Sequence, residues 1–363
     1  MNTPRSSPTP PPVQGGLIVR QSDPLNLESP FGALDAFLTR NEDFFVRCHF
    51  PIPEISRATW RLKIGGEVQH PREFTWDELR AMPETSVTAT LECAGNSRVF
   101  LTPKVDGAQW ERGAVGNAVW SGVRLAEVLQ RVGVAPAARE AILTGADRGE
   151  IETPPRPGGK IRYARSLPIA KASDDVLLAW HMNGQELSPA HGFPLRAVVP
   201  GWYGMASVKW LSEITLPADP FNGYYQSVDY AYWQRAAGEP SLVPITEMQV
   251  KAQIARPGPM EAVPAGRTYL IHGAAWSSAS EIVRVELSTD GGATWQPTTL
   301  KENNDRHAWR LWDFEWSPPA TPERVTLMAR ATDAQGRTQP LQRDLDRGSY
   351  MVNEVLPIQV SVI

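Results

Sequence analysis

The spacing of apolar residues predicts both strands and helices along this chain. In Val87-Thr88-Ala89-Thr90-Leu91 apolar and polar residues alternate, which is typical of a strand with one buried face. Between Leu125 and Val132 the apolar residues recur at i, i+3, i+4 and i+7, and Gly133 follows them. This second pattern predicts an amphipathic helix that ends at the glycine.

Two shorter signals lie before this helix. Thr75-Trp76-Asp77-Glu78 has the spacing of a capping box, in which the threonine caps a helix and the glutamate reaches back to it. Gly65-Gly66 lies within an extended run and predicts a hairpin over residues 60–68. The first part of the chain is therefore expected to combine strands with short helices.

A different pattern begins near Ile245. Short strand-like runs recur at residues 267–276, 282–288, 309–312 and 325–332. Asp290-Gly291-Gly292 and residues 333–336 supply turns between them. Short alternating strands at such spacing indicate an all-β sandwich.

Length and composition favour two domains after a short tail. At 363 residues the chain is long for a single core, and its content of 42% hydrophobic and 21% charged residues is typical of a soluble globular protein. We predict a disordered Pro-rich tail at residues 1–16, a first domain at residues 17–240 and a β-sandwich at residues 241–363.

Charge and cysteine content argue against several classes of protein. A formal net charge of -4 gives no reason to expect nucleic acid or an acidic membrane as partner, and no apolar run reaches the ~20 residues of a membrane helix. Cys48 and Cys93 are too few for a disulfide framework and have no zinc or c-type haem spacing, so we expect no haem in this chain. The expected compartment is the cytoplasm, or the periplasm if an export signal has been removed.

Cys93 stands where the first predicted strand ends. Gly95-Asn96 tolerates the positive φ of a tight turn, and Arg98 lies five residues beyond the cysteine. A thiolate at the rigid end of a strand is well placed to anchor a soft metal. The alternative is a small buried apolar residue, because free cysteine is among the most buried residue types.

Two further stretches carry candidate binding groups. Arg47 and His49 are two residues apart in a strand-like run, so both point to the same face, where an anion between them would offset their repulsion. Residues 191–211 set a His, an Arg, a Lys and a Ser hydroxyl among glycines, as a phosphate-bearing cofactor requires. The alternatives are a solvated strand face and ordinary loop charges.

The strings around these residues resemble the sulfite oxidase family of molybdopterin enzymes. The matching segments are residues 45–49, 90–98, 191–196 and 204–211, in the family's order. The resemblance implies that Cys93 binds molybdenum, that Arg47 faces the substrate and that His49 lies close to the pterin. The residues implied to bind the cofactor are His49, Cys93, His191, Arg196, Ser207 and Lys209.

The resemblance also implies a substrate pocket rich in arginine. Arg98 and Arg347 would join Arg47 there. Arg347 lies in residues 346–348, which resemble a segment that returns an arginine to the pocket. Three guanidinium groups would replace the hydration of a small oxyanion. Ala206 departs from the pattern, because many family members carry an arginine there, so one cation is missing.

Two aromatic residues complete the implied pocket. Trp110 resembles the tryptophan that walls the active site, although a lone tryptophan is more often part of a core. Tyr230 resembles the tyrosine whose hydroxyl reaches the substrate oxygen, with Tyr225 as the fallback because the alignment there needs one inserted residue. The alternative for this aromatic-rich stretch is a surface patch.

The fold and activity implied by the resemblance are specific. We expect an α+β protein with a sulfite-oxidase-like mixed catalytic domain that binds molybdopterin, followed by an immunoglobulin-like domain that forms a homodimer. The implied reaction is the oxidation of sulfite to sulfate by oxygen-atom transfer. Electrons would pass to an external acceptor, such as a separate cytochrome or a dye-like oxidant.

Several alternatives remain open on the sequence. A nitrate reductase shares the domain pair but usually lacks the arginine at the position of Arg347, and a sulfane dehydrogenase would act on another sulfur substrate. A methionine-sulfoxide reductase of the same superfamily lacks the β-sandwich. A non-catalytic adhesion or carbohydrate-binding protein could use the thirteen tryptophans as a binding surface.

Overall fold

The computed structural model describes residues 16–235, 238–278, 280–302 and 305–363. The predicted tail at residues 1–16 lies outside the described residues except for Gly16. The N–H of Gly16 donates to Asp43 Oδ1 at 3.2 Å.

The described residues form 24 strands and three short α-helices, α1 (Trp76–Arg80), α2 (Leu125–Val132) and α3 (Ile169–Ala172). The strands are β1 (Ile18–Gln21), β2 (Asn26–Glu28), β3 (Val46–Arg47), β4 (Arg61–Gly66), β5 (Arg72–Thr75), β6 (Thr85–Glu92), β7 (Val115–Arg124), β8 (Glu140–Gly149), β9 (Ile161–Pro168), β10 (Leu177–Met182), β11 (Gln185–Glu186), β12 (Arg196–Val198), β13 (Leu211–Leu216), β14 (Ala231–Gln234), β15 (Ser241–Pro244), β16 (Lys251–Arg256), β17 (Ala262–Val263), β18 (Tyr269–Trp276), β19 (Ile282–Ser288), β20 (Gln296–Pro297), β21 (Thr299–Leu300), β22 (Arg310–Trp316), β23 (Glu323–Asp333) and β24 (Ile358–Val362). The fold is therefore mainly β, with less helix than an α+β assignment suggests.

The periodicity of the sequence places the first elements correctly. Helix α2 ends at Gly133, as predicted, and its apolar positions are buried. Helix α1 has the predicted capping box, in which the Glu78 N–H donates to Thr75 Oγ1 at 3.2 Å and the Thr75 N–H donates to Glu78 Oε2 at 2.7 Å. The strand predicted before Cys93 is β6.

The predicted hairpin is present, because β4 pairs antiparallel with β5 from Arg61↔Thr75 to Ile64↔Arg72, but its turn does not lie at Gly65-Gly66. Strand β4 runs through both glycines and pairs with β5 on one side and with β13 on the other. A Cβ atom on Gly66 would lie 2.3 Å from Leu216 O, and its φ is +84°. The glycine therefore permits close approach of two strands rather than a turn.

Two five-stranded sheets frame the first part of the chain. One has the order β11-β10-β7-β6 with β12 beside β10, and the other has the order β5-β4-β13-β8-β9. Strands β1, β2 and β3 form a small third sheet, and β14 pairs only with β15. Between the large sheets and helix α2 lies the main apolar core.

The second part is built from two sheets that share one core. Their orders are β16-β18-β22-β21 and β17-β24-β23-β19-β20. Apolar residues of both sheets meet in a single cluster, among them Ile271, Trp312, Val285 and Leu327. This arrangement agrees with the predicted β-sandwich. The domain boundary at residue 241 stays a prediction.

A buried ion pair joins the two parts directly behind Cys93. Lys251 Nζ in β16 donates to Glu92 Oε1 at 3.0 Å, and the two side chains are 1% and 2% exposed. Trp276 Nε1 donates to Glu92 Oε2 at 2.8 Å, and Asn96 Nδ2 donates to Glu92 Oε1 at 3.0 Å. Because Glu92 precedes Cys93, the second part of the chain holds the cysteine loop in place.

We expect Lys251→Met to lower the free energy of unfolding by about 3–5 kcal/mol, because it leaves the Glu92 carboxylate buried without its charged partner. The double variant Glu92→Gln/Lys251→Met should recover much of that loss. Urea unfolding of the apoprotein measures both.

Glu213→Gln is the matched control, because it breaks a partly exposed ion pair with Arg162 (2.8 Å, side chains 38% and 31% exposed). Its effect should stay below about 1 kcal/mol. A Lys251→Met variant no less stable than this control would show that the buried pair does not hold the two parts together.

Candidate active site

Cys93 lies in a tight turn at the end of β6. Its N–H donates to Ala114 O at 2.8 Å, and its own carbonyl accepts the Asn96 N–H at 2.9 Å, which confirms the turn that the sequence predicts. The residue is 7% exposed and packs in an apolar cluster that includes Phe44 and Trp110. Burial raises the pKa of the thiol, and the charges of Arg47 and Arg98 oppose that rise.

The Cys93 side chain also lines a partly open cavity. The charged and hydrogen-bonding side chains of its wall include Arg47, His49, Cys93, Asp147, Tyr163, His191, Arg196, Ser207, Lys209 and Tyr230. They come from stretches far apart in the sequence. The structure therefore brings together all six predicted cofactor-binding residues and two of the five predicted catalytic residues.

His49 and Tyr230 form a pair at one side of the cavity. His49 Nε2 lies 2.6 Å from the Tyr230 hydroxyl oxygen, and the His49 ring stacks on Tyr163 with centroids 4.4 Å apart. Burial, together with the nearby charges of Arg47 and Lys209, lowers the pKa of His49 well below its usual value, so the imidazole is neutral. Burial raises the pKa of Tyr230, which keeps the hydroxyl protonated.

Arg47 faces this pair as a permanent cation. Burial opposes the charge, yet the pKa of its guanidinium lies above its usual value, with the Asp229 carboxylate among the groups that raise it, so Arg47 stays charged at physiological pH. The fallback residue Tyr225 has its ring centroid 4.8 Å from that of His49 but does not line the cavity. The structure thus favours Tyr230 over Tyr225.

One end of the cavity is cationic. Arg196 donates to the carbonyls of His191 and Ser207, each at 3.1 Å, and burial lowers its pKa to about 9. Lys209 Nζ donates to Ala190 O at 2.8 Å and lies 3.3 Å from Cys48 Sγ, and burial lowers its pKa too. These contacts neutralise neither charge, so an anion bound between them would be stabilised.

His191 and Ser207 frame this cationic end. Burial lowers the pKa of His191 to about 3, and its Nε2 lies 3.3 Å from Asn41 O. The Ser207 hydroxyl accepts the Val199 N–H at 3.0 Å, which fixes its orientation. Both side chains are buried, so their remaining hydrogen-bonding capacity is available only to a group inside the cavity.

Asp147 in β8 is a cavity residue that the sequence reasoning missed. It is 3% exposed, its Oδ1 has no hydrogen-bond partner among the described residues, and burial raises its pKa to about 6. A signal was present, because Asp147 continues the inward alternation of Ala141 and Leu143 along the strand. A buried carboxylate without a partner is as unfavourable as a buried cation without one, so it marks a candidate binding group.

Three predicted catalytic residues do not line the cavity. Arg98 follows the turn after Cys93, and its guanidinium donates to Ser349 O at 3.1 Å and to Ala108 O at 2.9 Å. Trp110 is fully buried in the core, in agreement with the simpler interpretation.

Arg347 is engaged elsewhere. Its guanidinium donates to Asp344 Oδ2 at 3.2 Å, Asn353 Oδ1 at 2.7 Å and Gln249 Oε1 at 3.2 Å. These bonds use the donors that a substrate anion would need. The expectation that Arg347 reaches the pocket is therefore not supported by its contacts. Ala206, which stands where the resemblance has an arginine in many family members, is fully buried in the core.

A more open groove lies beside the cavity. Arg47 and His49 line both spaces, and Gln21, Gln109 and Asp229 also line the groove. Arg47 and His49 therefore lie at the boundary between the cavity and the groove.

Known proteins share this architecture. The oxidoreductase molybdopterin binding domain matches residues 49–225, and the Mo-co oxidoreductase dimerisation domain matches residues 243–355. Sulfite oxidase of Arabidopsis thaliana is 32% identical over 360 residues, which are 91% of this chain and 89% of the plant protein. The chain belongs to the sulfite oxidase family of molybdenum oxidoreductases.

Two further proteins are similar to this chain. Mitochondrial sulfite oxidase of Rattus norvegicus is 33% identical over 89% of this chain, but the match spans only 61% of the rat protein. The crystal structure of the sulfane dehydrogenase SoxCD from Paracoccus pantotrophus superposes with a TM-score of 0.80 at 28% identity, over 92% of this chain and 84% of that one.

The cavity fits a molybdenum cofactor. Asp147 Oδ1 is a buried acceptor without a partner among the described residues, suited to a pterin N–H group, and Arg196 and Lys209 are suited to its phosphate. No group of three or more His, Cys, Asp or Glu side chains in the described part of the chain could hold a metal ion alone. Cys93, which lines the cavity, is the residue that would bind the metal of such a cofactor.

We expect Asp147→Asn to stabilise the apoprotein, and increasingly so as the pH rises. Because the folded-state pKa of about 6 exceeds the usual value near 4, the folded protein binds more protons than the unfolded chain, and its stability falls between these values. The variant should gain about 2–3 kcal/mol at pH 7 and less at pH 5.

Thermal unfolding of apoprotein at several pH values measures this gain. Asp174→Asn, at an exposed position, serves as the control. A gain that does not change with pH would mean that the Asp147 carboxyl group does not titrate in this range.

Proposed function

We propose that this protein oxidises sulfite to sulfate at a molybdenum cofactor anchored by Cys93. The observation that carries the proposal is that the Cys93 thiol, the Arg47 guanidinium and the His49–Tyr230 pair line one buried cavity. In the reaction, sulfite and water give sulfate, two protons and two electrons. An acceptor outside the cavity must take up the electrons.

Arg47 is the residue best placed to bind the substrate. It lines both the groove and the cavity, so an anion in either space meets its charge. The fork of a guanidinium matches two oxygens of sulfite, and arginine does not lose its proton under physiological conditions. The negative charge overall makes this local cation the main attraction for an anion.

Tyr230 and His49 would orient the oxyanion. The protonated Tyr230 hydroxyl can donate a hydrogen bond to a substrate or product oxygen, while the neutral His49 ring fixes the hydroxyl from the other side. Stacking on Tyr163 holds the imidazole in place. Such donors act strongly because the surrounding walls exclude water.

The molybdenum cofactor, when bound, supplies the oxygen-atom transfer and the two-electron redox change. The chain supplies the remaining functions. Cys93 would ligate the metal, Arg196 and Lys209 would hold the phosphate, and burial would exclude water from the cofactor.

Two alternatives within the family differ in substrate. A sulfane dehydrogenase is the second candidate, because the SoxCD structure superposes over most of this chain. A nitrate reductase would run oxygen transfer in the opposite direction. Arg347 does not distinguish sulfite from nitrate here, because its side chain is bound by Asp344, Asn353 and Gln249.

The two remaining alternatives fit less well. The packed sheets of residues 250–362 are the part that a methionine-sulfoxide reductase of this superfamily lacks. A carbohydrate-binding surface would need exposed tryptophans, whereas Trp110, Trp120, Trp180, Trp210, Trp276, Trp309 and Trp312 are nearly or completely buried.

We also propose a homodimer that forms through an immunoglobulin-like second domain. The match of residues 243–355 to a dimerisation domain supports this assembly. No helix in the described part of the chain is long and apolar enough to cross a membrane. A separate cytochrome is the proposed acceptor.

Steady-state assays test the proposed activity. With ferricyanide or cytochrome c as oxidant, sulfite should be turned over much faster than thiosulfate, and reduced dye should not be oxidised by nitrate. Faster oxidation of a sulfane-sulfur compound would favour the second candidate. Turnover of nitrate but not sulfite would overturn the proposal.

We expect Cys93→Ser to retain the fold but to lose bound molybdenum and sulfite oxidation, since a hydroxyl is a poor ligand for a soft metal. Metal analysis of protein from cofactor-replete cells, together with circular dichroism, measures the two effects separately. Cys48→Ser is the matched control and should keep its molybdenum. Normal metal content in Cys93→Ser would remove this residue as the ligand.

A further inference from the structure

A buried arginine behind the cavity has no role in the chemistry described above. Arg165 in β9 is fully buried, its Nη1 donates to Tyr225 O, and its Nη2 donates to Ile245 O at 2.7 Å. Its Nε has no hydrogen-bond partner among the described residues. Both bonds go to main-chain carbonyls rather than carboxylates, so they leave the charge of the guanidinium uncompensated.

The two carbonyls lie at the two ends of a single segment, residues 225–245. This segment contains a π-helical turn (Tyr225–Asp229) and the β14–β15 ribbon, and the structure describes all of it except residues 236 and 237. The Ile245 N–H donates to Tyr230 O at 2.9 Å, which closes the ribbon. Arg165 therefore binds the first and the last residue of the segment that carries Tyr230.

Strand β9 places Arg165 on the side of the site. Tyr163 and Arg165 are two residues apart and point to the same face of the strand. The Tyr163 ring stacks on His49, and Arg165 Cζ lies 5.9 Å from the centroid of the Tyr230 ring. One face of one strand thus supports both members of the His49–Tyr230 pair.

A purely structural role would not require arginine. Burial of a guanidinium costs free energy, and a neutral donor such as a side-chain amide could bind the two carbonyls without burying a charge. What arginine adds is a positive charge next to the pair. That charge disfavours a second positive charge on His49.

We propose that Arg165 is a positioning residue that holds Tyr230 against His49 by fixing both ends of the 225–245 segment. The proposal rests on the proposed function only in that Tyr230 must contact the substrate. The structural part of the proposal, the restraint of this segment, is independent of which substrate is used.

The test uses the holoenzyme with the variants Arg165→Met and Arg165→Lys, and all rates are normalised to molybdenum content. Arg165→Met should lower kcat/KM for sulfite about tenfold to a hundredfold, mainly through kcat, because Arg47 still binds the anion. Arg165→Lys keeps the charge and at least one donor, so it should recover part of the loss. It also keeps the test valid if Arg165→Met does not fold.

A double-mutant cycle with Tyr230→Phe separates positioning from general stability. If Arg165 acts by placing the Tyr230 hydroxyl, Arg165→Met should cost less than about threefold once that hydroxyl is absent. Equal losses in both backgrounds would overturn the proposal. Arg162→Met is the matched control, because Arg162 lies on the opposite face of β9 and pairs with Glu213 at 2.8 Å.

Amide hydrogen exchange provides a readout that does not depend on activity. In Arg165→Met, exchange in residues 225–245 should rise at least severalfold, whereas Arg162→Met should leave it unchanged. Unchanged exchange in Arg165→Met would overturn the restraint. If the wild-type protein does not oxidise sulfite, but Arg165→Met still exchanges faster than wild type in residues 225–245, the proposed function is refuted and the restraint stands.

Discussion

The geometry of the site depends on the buried contact between Glu92 and Lys251, which are 159 residues apart in the chain. Two charges removed from water are tolerated only when their geometry is good and their other hydrogen bonds are made. Here Trp276 and Asn96 supply those bonds. Because Glu92 precedes Cys93, the position of the thiol is set by the packing of the second part of the chain against the first.

The cavity concentrates positive charge inside an acidic protein. The formal net charge is -4, yet Arg47, Arg196 and Lys209 all line one enclosed space. Burial of a cation without a counter-charge is unfavourable in free energy, so an anionic cofactor and substrate would be suitable counter-charges. The sequence identity to known sulfite oxidases independently places the chain in a family of molybdenum oxidoreductases.

The three arginines predicted for the pocket have different environments. Arg47 lines the cavity, whereas Arg98 fits between Gly95 and Gly107, where added Cβ atoms would lie 2.5 and 2.7 Å from its guanidinium. Arg347 is bound by a carboxylate and two side-chain amides. A resemblance between short motifs treats all three alike, because it records residue type and order but not the partners of a side chain.

The sequence by itself determined the features that local interactions control. The alternation in β6, the period of α2, the turn after Cys93 and the β-rich second part were all predicted from neighbouring residues. The inward position of Asp147 follows the alternation along β8, but tertiary structure alone decided that this face of β8 lines the cavity and that Arg165 supports Tyr230. The reason is physical: those roles depend on which distant strands pair and which side chains they bury, and no local pattern encodes that choice.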